Sequence, residues 1–248
     1  MASSVSYATM TKSTSTTLMP GQFWVVEGAD GVGKSTQADL LFKRLSSQPS
    51  LKGKEIVRWH FPHYAGHPWG DLIKQYLAGE LGSGAVVDRH YAGLLYAADR
   101  GQQSPAIQAT LDSGNWILAD RYAPSNMAHQ GAHFTDQDEQ EAYYRWLEKL
   151  EYETFSIVRP TGIILLALDP DAHIERLSSR LQESGENPDI LEANLEYQVQ
   201  VGIQYATLAA THNWLVVNCS PNGRLLDRDE IAEQVWNIIQ PHLSPKKK

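Results

Sequence analysis

One cysteine in 248 residues, Cys219, excludes a disulfide framework and any cysteine-based zinc cluster, and it fits a reducing compartment. Long hydrophobic runs are also missing: the longest, such as 162–168, are strand-sized and too short to cross a bilayer. There is no basic stripe. The 21 Lys and Arg against 29 Asp and Glu leave a formal charge of −8, which argues against nucleic acid as a partner. The first 20 residues hold no acid and no arginine, and about half of them are Ser or Thr. They lack the continuous apolar core of a signal peptide, and the missing arginines argue against an organelle transit peptide, which stays the alternative. We read 1–20 as a disordered tail, 243–248 as a basic solvated tail, and the protein as soluble and cytoplasmic, without a membrane partner.

What is there is an alternation of strand-length apolar runs with helical spacing. Residues 22–27 (QFWVVE) stop at Gly28, after which Ala38, Leu41, Phe42 and Leu45 fall at i, i+3, i+4 and i+7. A second strand is predicted over 55–60 (EIVRWH), with irregular chain at Pro62, Gly66, Pro68 and Gly70 before a helix over 71–77. Residues 88–111 read as helix broken near Ser104–Pro105. A strand over 116–119 (WILA) ends at Asp120, 136–155 is one long helical stretch, and 162–168 (GIILLAL) is the next strand, with a helix from about Asp171. The polar segment 182–188 interrupts the pattern, helical spacing resumes with Leu191, Leu195 and Val199, and 214–217 (WLVV) precedes a closing helix over 229–239. Five apolar strands separated by helices predict an α/β fold, a five-stranded parallel sheet with helices on both faces. No repeat or linker divides 21–242.

Gly28-Ala29-Asp30-Gly31-Val32-Gly33-Lys34-Ser35 matches G-x-x-x-x-G-K-[ST] between a strand and a helix, the context a P-loop requires. Its glycines let backbone N–H groups turn toward phosphate oxygens, Lys34 can reach the β- and γ-phosphates, and the Ser35 hydroxyl can ligate Mg²⁺. Residues 28–36, Gly28 through Thr36, are therefore the ATP-binding candidates. A cradle alone does not choose among kinases, GTPases and motor ATPases. Asp120 ends a neighbouring strand, where a carboxylate can hold Mg²⁺ or its waters, and Arg121 follows; taken alone, the two could equally be a surface ion pair. No Asn-Lys-x-Asp guanine-reading motif occurs, which lowers the GTPase reading.

Glu27-Gly-Ala-Asp-Gly-Val-Gly-Lys-Ser-Thr-Gln37, Phe61-Pro62, Tyr96-Ala-Ala-Asp-Arg100 and Asp120-Arg-Tyr-Ala-Pro-Ser-Asn126 resemble, in order and spacing, the thymidylate kinases, over about residues 22–240. The resemblance implies a P-loop nucleoside-monophosphate-kinase fold with a mobile lid at about 180–190, Mg²⁺-ATP as donor, dTMP as acceptor, and a homodimer. By the same resemblance Asp30 bonds the acceptor's 3′-hydroxyl near the transferred phosphate, and Phe61 and Tyr64 line the acceptor pocket. Tyr96 and Arg100, four apart on one helix face, are placed to stack on the thymine and to donate to its carbonyl. Arg121 clamps the acceptor phosphate. Ser125, Asn126 and Gln130 fall beside base and sugar, and His129 where it could crowd a ribose 2′-hydroxyl. Arg180, with Arg176 as second choice, is the lid arginine. Asp189-Ile-Leu-Glu192 resembles the segment that closes the pocket, although Leu191 replaces a common aromatic.

Many members of the family place an arginine in or after the Phe-Pro pair; this chain has His63 there, so either Arg121 and Lys34 suffice, or Arg58 or another base substitutes, or acceptor affinity is lower and more sensitive to pH. The implied reaction transfers the γ-phosphoryl of ATP in line to dTMP, with Lys34, Arg121, Arg180, Asp30 and Asp120 as catalytic candidates and Ser35 and Asp120 at the metal. The alternatives are a kinase of other or several nucleoside monophosphates and, from another class, a non-catalytic P-loop switch.

Overall fold

The computed structural model of the chain describes residues 21–65, 68–82, 88–184 and 194–243, the side chains of 180–184 apart. Strands β1 (Gln22–Glu27), β2 (Ile56–His60), β3 (Trp116–Asp120), β4 (Gly162–Ala167) and β5 (Leu215–Asn218) form one parallel sheet in the order β2-β3-β1-β4-β5. The central strand, β1, shows why the sequence reads as apolar runs. Trp24 and Val26 enter one core layer and Phe23 and Val25 the other, so both faces are covered and no polar alternation survives.

Helices α1 (Lys34–Ser46) and α8 (Arg228–Ile239) cover the first face through Leu41, Leu45, Val235, Trp236 and Ile239. On the other face α3 (Arg89–Asp112) contributes Ile107, beside Phe61 and Tyr122. Helices α4 (Ala123–Gly131) and α7 (Leu195–His212) close a third cluster, in which Tyr197, Val201 and Tyr205 pack on Ala128 and Leu165. Helices α2 (Pro68–Leu77), α5 (Gln137–Lys149) and α6 (Pro170–Ser184) complete the described set. None of these helices is long and apolar enough to cross a membrane.

Register decides what meets at the carboxyl rim. Val26 pairs with Asp120 across β1 and β3, and His60 pairs with Asp120 across β2 and β3. The loop after β1, the end of β3 and the start of the β2 connection thus emerge side by side at the strand order's reversal point, where open α/β sheets bind ligands.

Several local expectations need correction. Helix α3 runs through Pro105 without a break. The lost hydrogen bond costs about 3 kcal/mol, and the helix is held on both sides of it by buried Ala97, Ala98 and Ile107 and by Ser104 Oγ, which donates to the Ser156 carbonyl at 3.0 Å. The stretch 136–155 is not one α-helix: α5 passes into a wider π-type turn, Leu150–Thr154. Strand β5 starts one residue later than predicted because Asn213, in the left-handed region at φ 54°, closes α7 with the Trp214 N–H bonded to the Ala209 carbonyl. Helix α7 starts at Leu195 on an Asn194 cap, and Leu191 lies outside the described residues, as do 1–20 and 244–248. Helix α4 is a residue range for which the spacing offered no helix; its available signal was Pro124 in the first turn.

Candidate active site

The loop after β1 wraps the amino end of α1. Gly28 has φ 152°, and a Cβ there would stand 2.6 Å from the Leu166 carbonyl oxygen, so only glycine fits between the loop and β4. Gly33 caps α1 in the left-handed region without a side-chain bond, which leaves the first N–H groups of α1 as donors for an anion. Ala29 and Val32 are buried anchors of the loop; Gly31, Gly33, Lys34, Ser35 and Thr36 line a cavity of about 650 Å³. Lys34 Nζ donates to the Ala29 carbonyl at 2.8 Å and lies 3.5 Å from Asp30 Oδ1. Burial and the neighbouring Arg121 bring its pKa down to about 8.

Ser35 Oγ donates to Asp120 Oδ2 at 2.5 Å. Burial raises the Asp120 pKa, but hydrogen bonds from His60 and Ser35 and the charge of Lys34 prevail and hold it at about 2. Its other oxygen, Oδ1, is buried without a hydrogen-bond partner. A hydroxyl and an ionised carboxylate with an unused oxygen, beside a phosphate cradle, are a hard donor set of the kind Mg²⁺ takes together with phosphate oxygens and water. Among the described residues there is no cluster of three or more His, Cys, Asp or Glu that could hold a metal by itself.

Opposite the loop stands Arg121, held at φ 67°, a conformation that costs a non-glycine residue about 1–2 kcal/mol. Its N–H bonds the Val26 carbonyl at 3.0 Å and its guanidinium turns back over the P-loop. There Nη2 pairs with Asp30 Oδ1, while Nη1 lies 3.2 Å from His129 Nε2 and 3.4 Å from Ser125 Oγ. Burial would raise the Asp30 pKa, but Arg121 and Lys34 outweigh it and hold the carboxyl well below the usual range. Gln198 Nε2 donates to Asp30 Oδ2 at 3.1 Å, and His173 Nε2 lies 2.8 Å from the Asp30 carbonyl.

His129, half-buried on α4, faces Arg121. Burial pushes its pKa down to about 3, so it is neutral. The Tyr197 hydroxyl donates its proton to the His129 carbonyl at 3.0 Å, which makes Nδ1, 3.2 Å from that hydroxyl, the donor and leaves Nε2 to accept from Arg121. Beneath Arg121 lies Glu27, fully buried, whose carboxylate accepts from the Tyr122 N–H at 2.7 Å, Ser125 Oγ at 2.7 Å and Tyr205 OH at 2.9 Å. Helix α4 has no side-chain cap of its own, and Glu27 takes that place for its first N–H groups.

Phe61, Tyr64, Tyr96, Arg100, Asn126 and Gln130 line the far end of the same cavity. The Oδ1 of Asn126 and the Oε1 of Gln130 are buried without a hydrogen-bond partner. Arg100, 2% exposed, is paired with Glu151. Arg176 reaches in from α6, with Nε 3.3 Å from the Gly31 carbonyl. The side chain of Arg180 and the segment 189–192 lie outside the described residues. Two sequence candidates stand elsewhere: Arg58 pairs with Asp39 of α1 at 2.7 Å, and His63 packs on Trp59 outside the cavity lining. Lys34, Arg100, Arg121 and Arg176 are the arginines and lysines among the described lining residues, with His60 beside them. Gln198, Tyr197 and His60 were not candidates from sequence, and no motif marks the first two.

A P-loop facing a half-buried arginine and a partly aromatic wall across one cavity is the layout of a P-loop phosphotransferase. The family model described as thymidylate kinase matches residues 26–229. The chain is 31% identical to the thymidylate kinase of Mycobacterium tuberculosis over 206 residues, 81% of this chain and 93% of that protein, and 27% identical to that of Ralstonia pickettii over 89% and 98%. The solved thymidylate kinase of Candida albicans, described as having broad substrate specificity, superposes with a TM-score of 0.65 at 25% identity, over 90% of this chain and 92% of that one. The chain belongs to the thymidylate kinase family.

Proposed function

We propose that this enzyme transfers the γ-phosphoryl group of ATP to dTMP, giving ADP and dTDP. The observation that carries the reading is the contact of Arg121 with Asp30: the P-loop and the acceptor clamp meet at one ion pair, which joins the donor and acceptor halves of a single cavity. Lys34 and the N–H groups of residues 28–36 bind the donor phosphates, and Arg121 holds the acceptor phosphate with a fork suited to two oxygens. Asp30 orients Arg121 and is available to the acceptor sugar. Tyr96 and Phe61 flank the base, while Arg100, Asn126 and Gln130 supply polar groups at its edge, and Tyr64, Ser125 and His129 complete the wall. Because the acceptor is already an anion, no side chain needs to remove a proton from it; positioning and cancelled charge lower the barrier. Ser35 and Asp120 are the residues for Mg²⁺, which when bound neutralises charge on the β- and γ-phosphates. Arg176 brings positive charge to the P-loop at the Gly31 carbonyl, and Arg180, one turn further along α6, is the arginine we assign to a lid at about 180–190.

The kinase unit spans 21–242, and the enzyme is a cytoplasmic homodimer; sedimentation at twice the chain mass is the expected result. A wider acceptor range is the second reading, favoured by the structural match to a kinase described as broad in specificity. Chromatography of ATP and dTMP incubated with the enzyme is expected to yield dTDP and ADP together. ATP binding with no dTDP formed would favour a non-catalytic switch.

A further inference from the structure

The acceptor end of the cavity rests on a carboxylate that does not itself line it. Glu151, 1% exposed, sits in the π-type turn Leu150–Thr154. Both of its oxygens are occupied: Oε2 accepts from Arg100 Nε at 3.0 Å, and Oε1 accepts from Arg100 Nη2 and from Asn126 Nδ2, the latter at 3.0 Å. The same Asn126 nitrogen donates to the Gly93 carbonyl at 2.9 Å. Its two N–H groups therefore lie on two acceptors, and a flipped amide would turn a carbonyl oxygen toward both, so the orientation of Asn126 is fixed. The remaining atom, Oδ1, is the buried acceptor without a protein partner. Arg100 is restrained likewise, with Nε and Nη2 on the carboxylate and Nη1 left over for the cavity it lines.

We infer that Glu151 is a positioning residue that sets which base the acceptor site takes, by orienting Arg100 and Asn126 together. The inference rests on the dTMP reading above. Through this one carboxylate oxygen a cationic donor and an amide with a carbonyl acceptor to spare are tied together, on two residues that line the cavity. A carbonyl beside a ring N–H, the imide edge of thymine or uracil, complements that pair. Cytosine has an amino donor beside a bare ring nitrogen, so donor would face donor and acceptor would face acceptor. A site that leaves buried polar groups unmatched rejects the wrong partner strongly. The backbone is shaped for this approach: a Cβ at Gly101 of α3 would come within 2.7 Å of Phe155 Cδ1, so glycine lets the turn carrying Glu151 lie against the helix carrying Arg100.

The test is steady-state kcat and KM for dTMP and dCMP in the wild-type enzyme, Glu151→Gln and Glu151→Asp, each checked for folding by thermal unfolding. The amide of Glu151→Gln places a donor where an acceptor stood. The expected result is a KM for dTMP raised about 10-fold or more, kcat lowered less than that, and a dTMP-to-dCMP ratio of kcat/KM reduced about 10-fold or more. Glu151→Asp keeps the charge at shorter reach and should give intermediate values. Should Glu151→Gln fail to fold, Glu151→Asp decides: a reduced ratio supports the inference and an unchanged ratio overturns it. Equal losses for dTMP and dCMP, or a loss confined to kcat, in a folded variant also overturn it. A wild-type enzyme inactive on dTMP contradicts the proposed function itself, whereas an active wild type with an unchanged ratio in the variants overturns the role of Glu151 alone.

Discussion

The donor and acceptor ends of the cavity are built on different plans. The donor end is one contiguous loop after β1, and its chemistry lies in backbone: left-handed glycines, open N–H groups and one lysine fixed to the loop's own carbonyl at Ala29. At the acceptor end side chains from distant segments converge; Asp30 meets Arg121 from 91 residues away and Gln198 from 168. A backbone cradle recognises any nucleotide phosphate, and what distinguishes one monophosphate from another has to come from side chains held by other side chains. Damage to the donor end should therefore slow every acceptor alike, while damage to the acceptor end should change their ranking.

The largest effect is expected from Lys34→Met, which removes the loop's positive charge and should lower kcat about 1,000-fold or more, equally for every acceptor; near-normal turnover in a folded variant would break the comparison at its donor end. Arg121→Lys keeps the charge but loses the fork that spans Asp30, His129 and the acceptor phosphate, and kcat/KM for dTMP should fall about 100-fold. Gln198→Leu removes the donor to Asp30 Oδ2 and should cost about 10-fold in kcat/KM; a larger loss for Gln198→Leu than for Arg121→Lys would invert the assigned hierarchy.

The smallest expected effect concerns pH. Burial pushes His129 down to about 3 and His133 to about 4 from an ordinary 6.5, so between those values the unfolded chain binds protons that the folded chain refuses. Stability from this source is complete above about pH 6.5 and lost as pH falls toward 4 for His133 and toward 3 for His129. The thermal midpoint should drop between pH 7 and pH 5, and less steeply in His129→Asn than in the wild type. A parallel drop in both would remove His129 from the account of the clamp.

How much of this was legible in the sequence follows the same division. Strands buried on both faces announce themselves as apolar runs, and β1, β3 and β4 lie where the runs 22–27, 116–119 and 162–168 put them, to within one residue. The P-loop is contiguous, so its spacing is its geometry. Arg58 had the right charge near the right segment, but its neighbour turned out to be Asp39 on α1, a pairing that sequence distance does not reveal. Glu151 is one of several acids in 136–155, and only the π-type turn singles it out. Tyr197 and Gln198 read as ordinary helix residues; their position beside Asp30 and His129 comes from the packing of α7 against α4.

The most direct measurement is kcat/KM of the unmodified enzyme with ATP across dTMP, dUMP, dCMP, dAMP and dGMP, together with ADP release in the absence of any monophosphate. The expected result is dTMP first, dUMP, which keeps the imide edge, next, and little ADP without an acceptor. A purine or cytosine nucleotide as the best acceptor, or ATP turnover indifferent to the monophosphate, would contradict it.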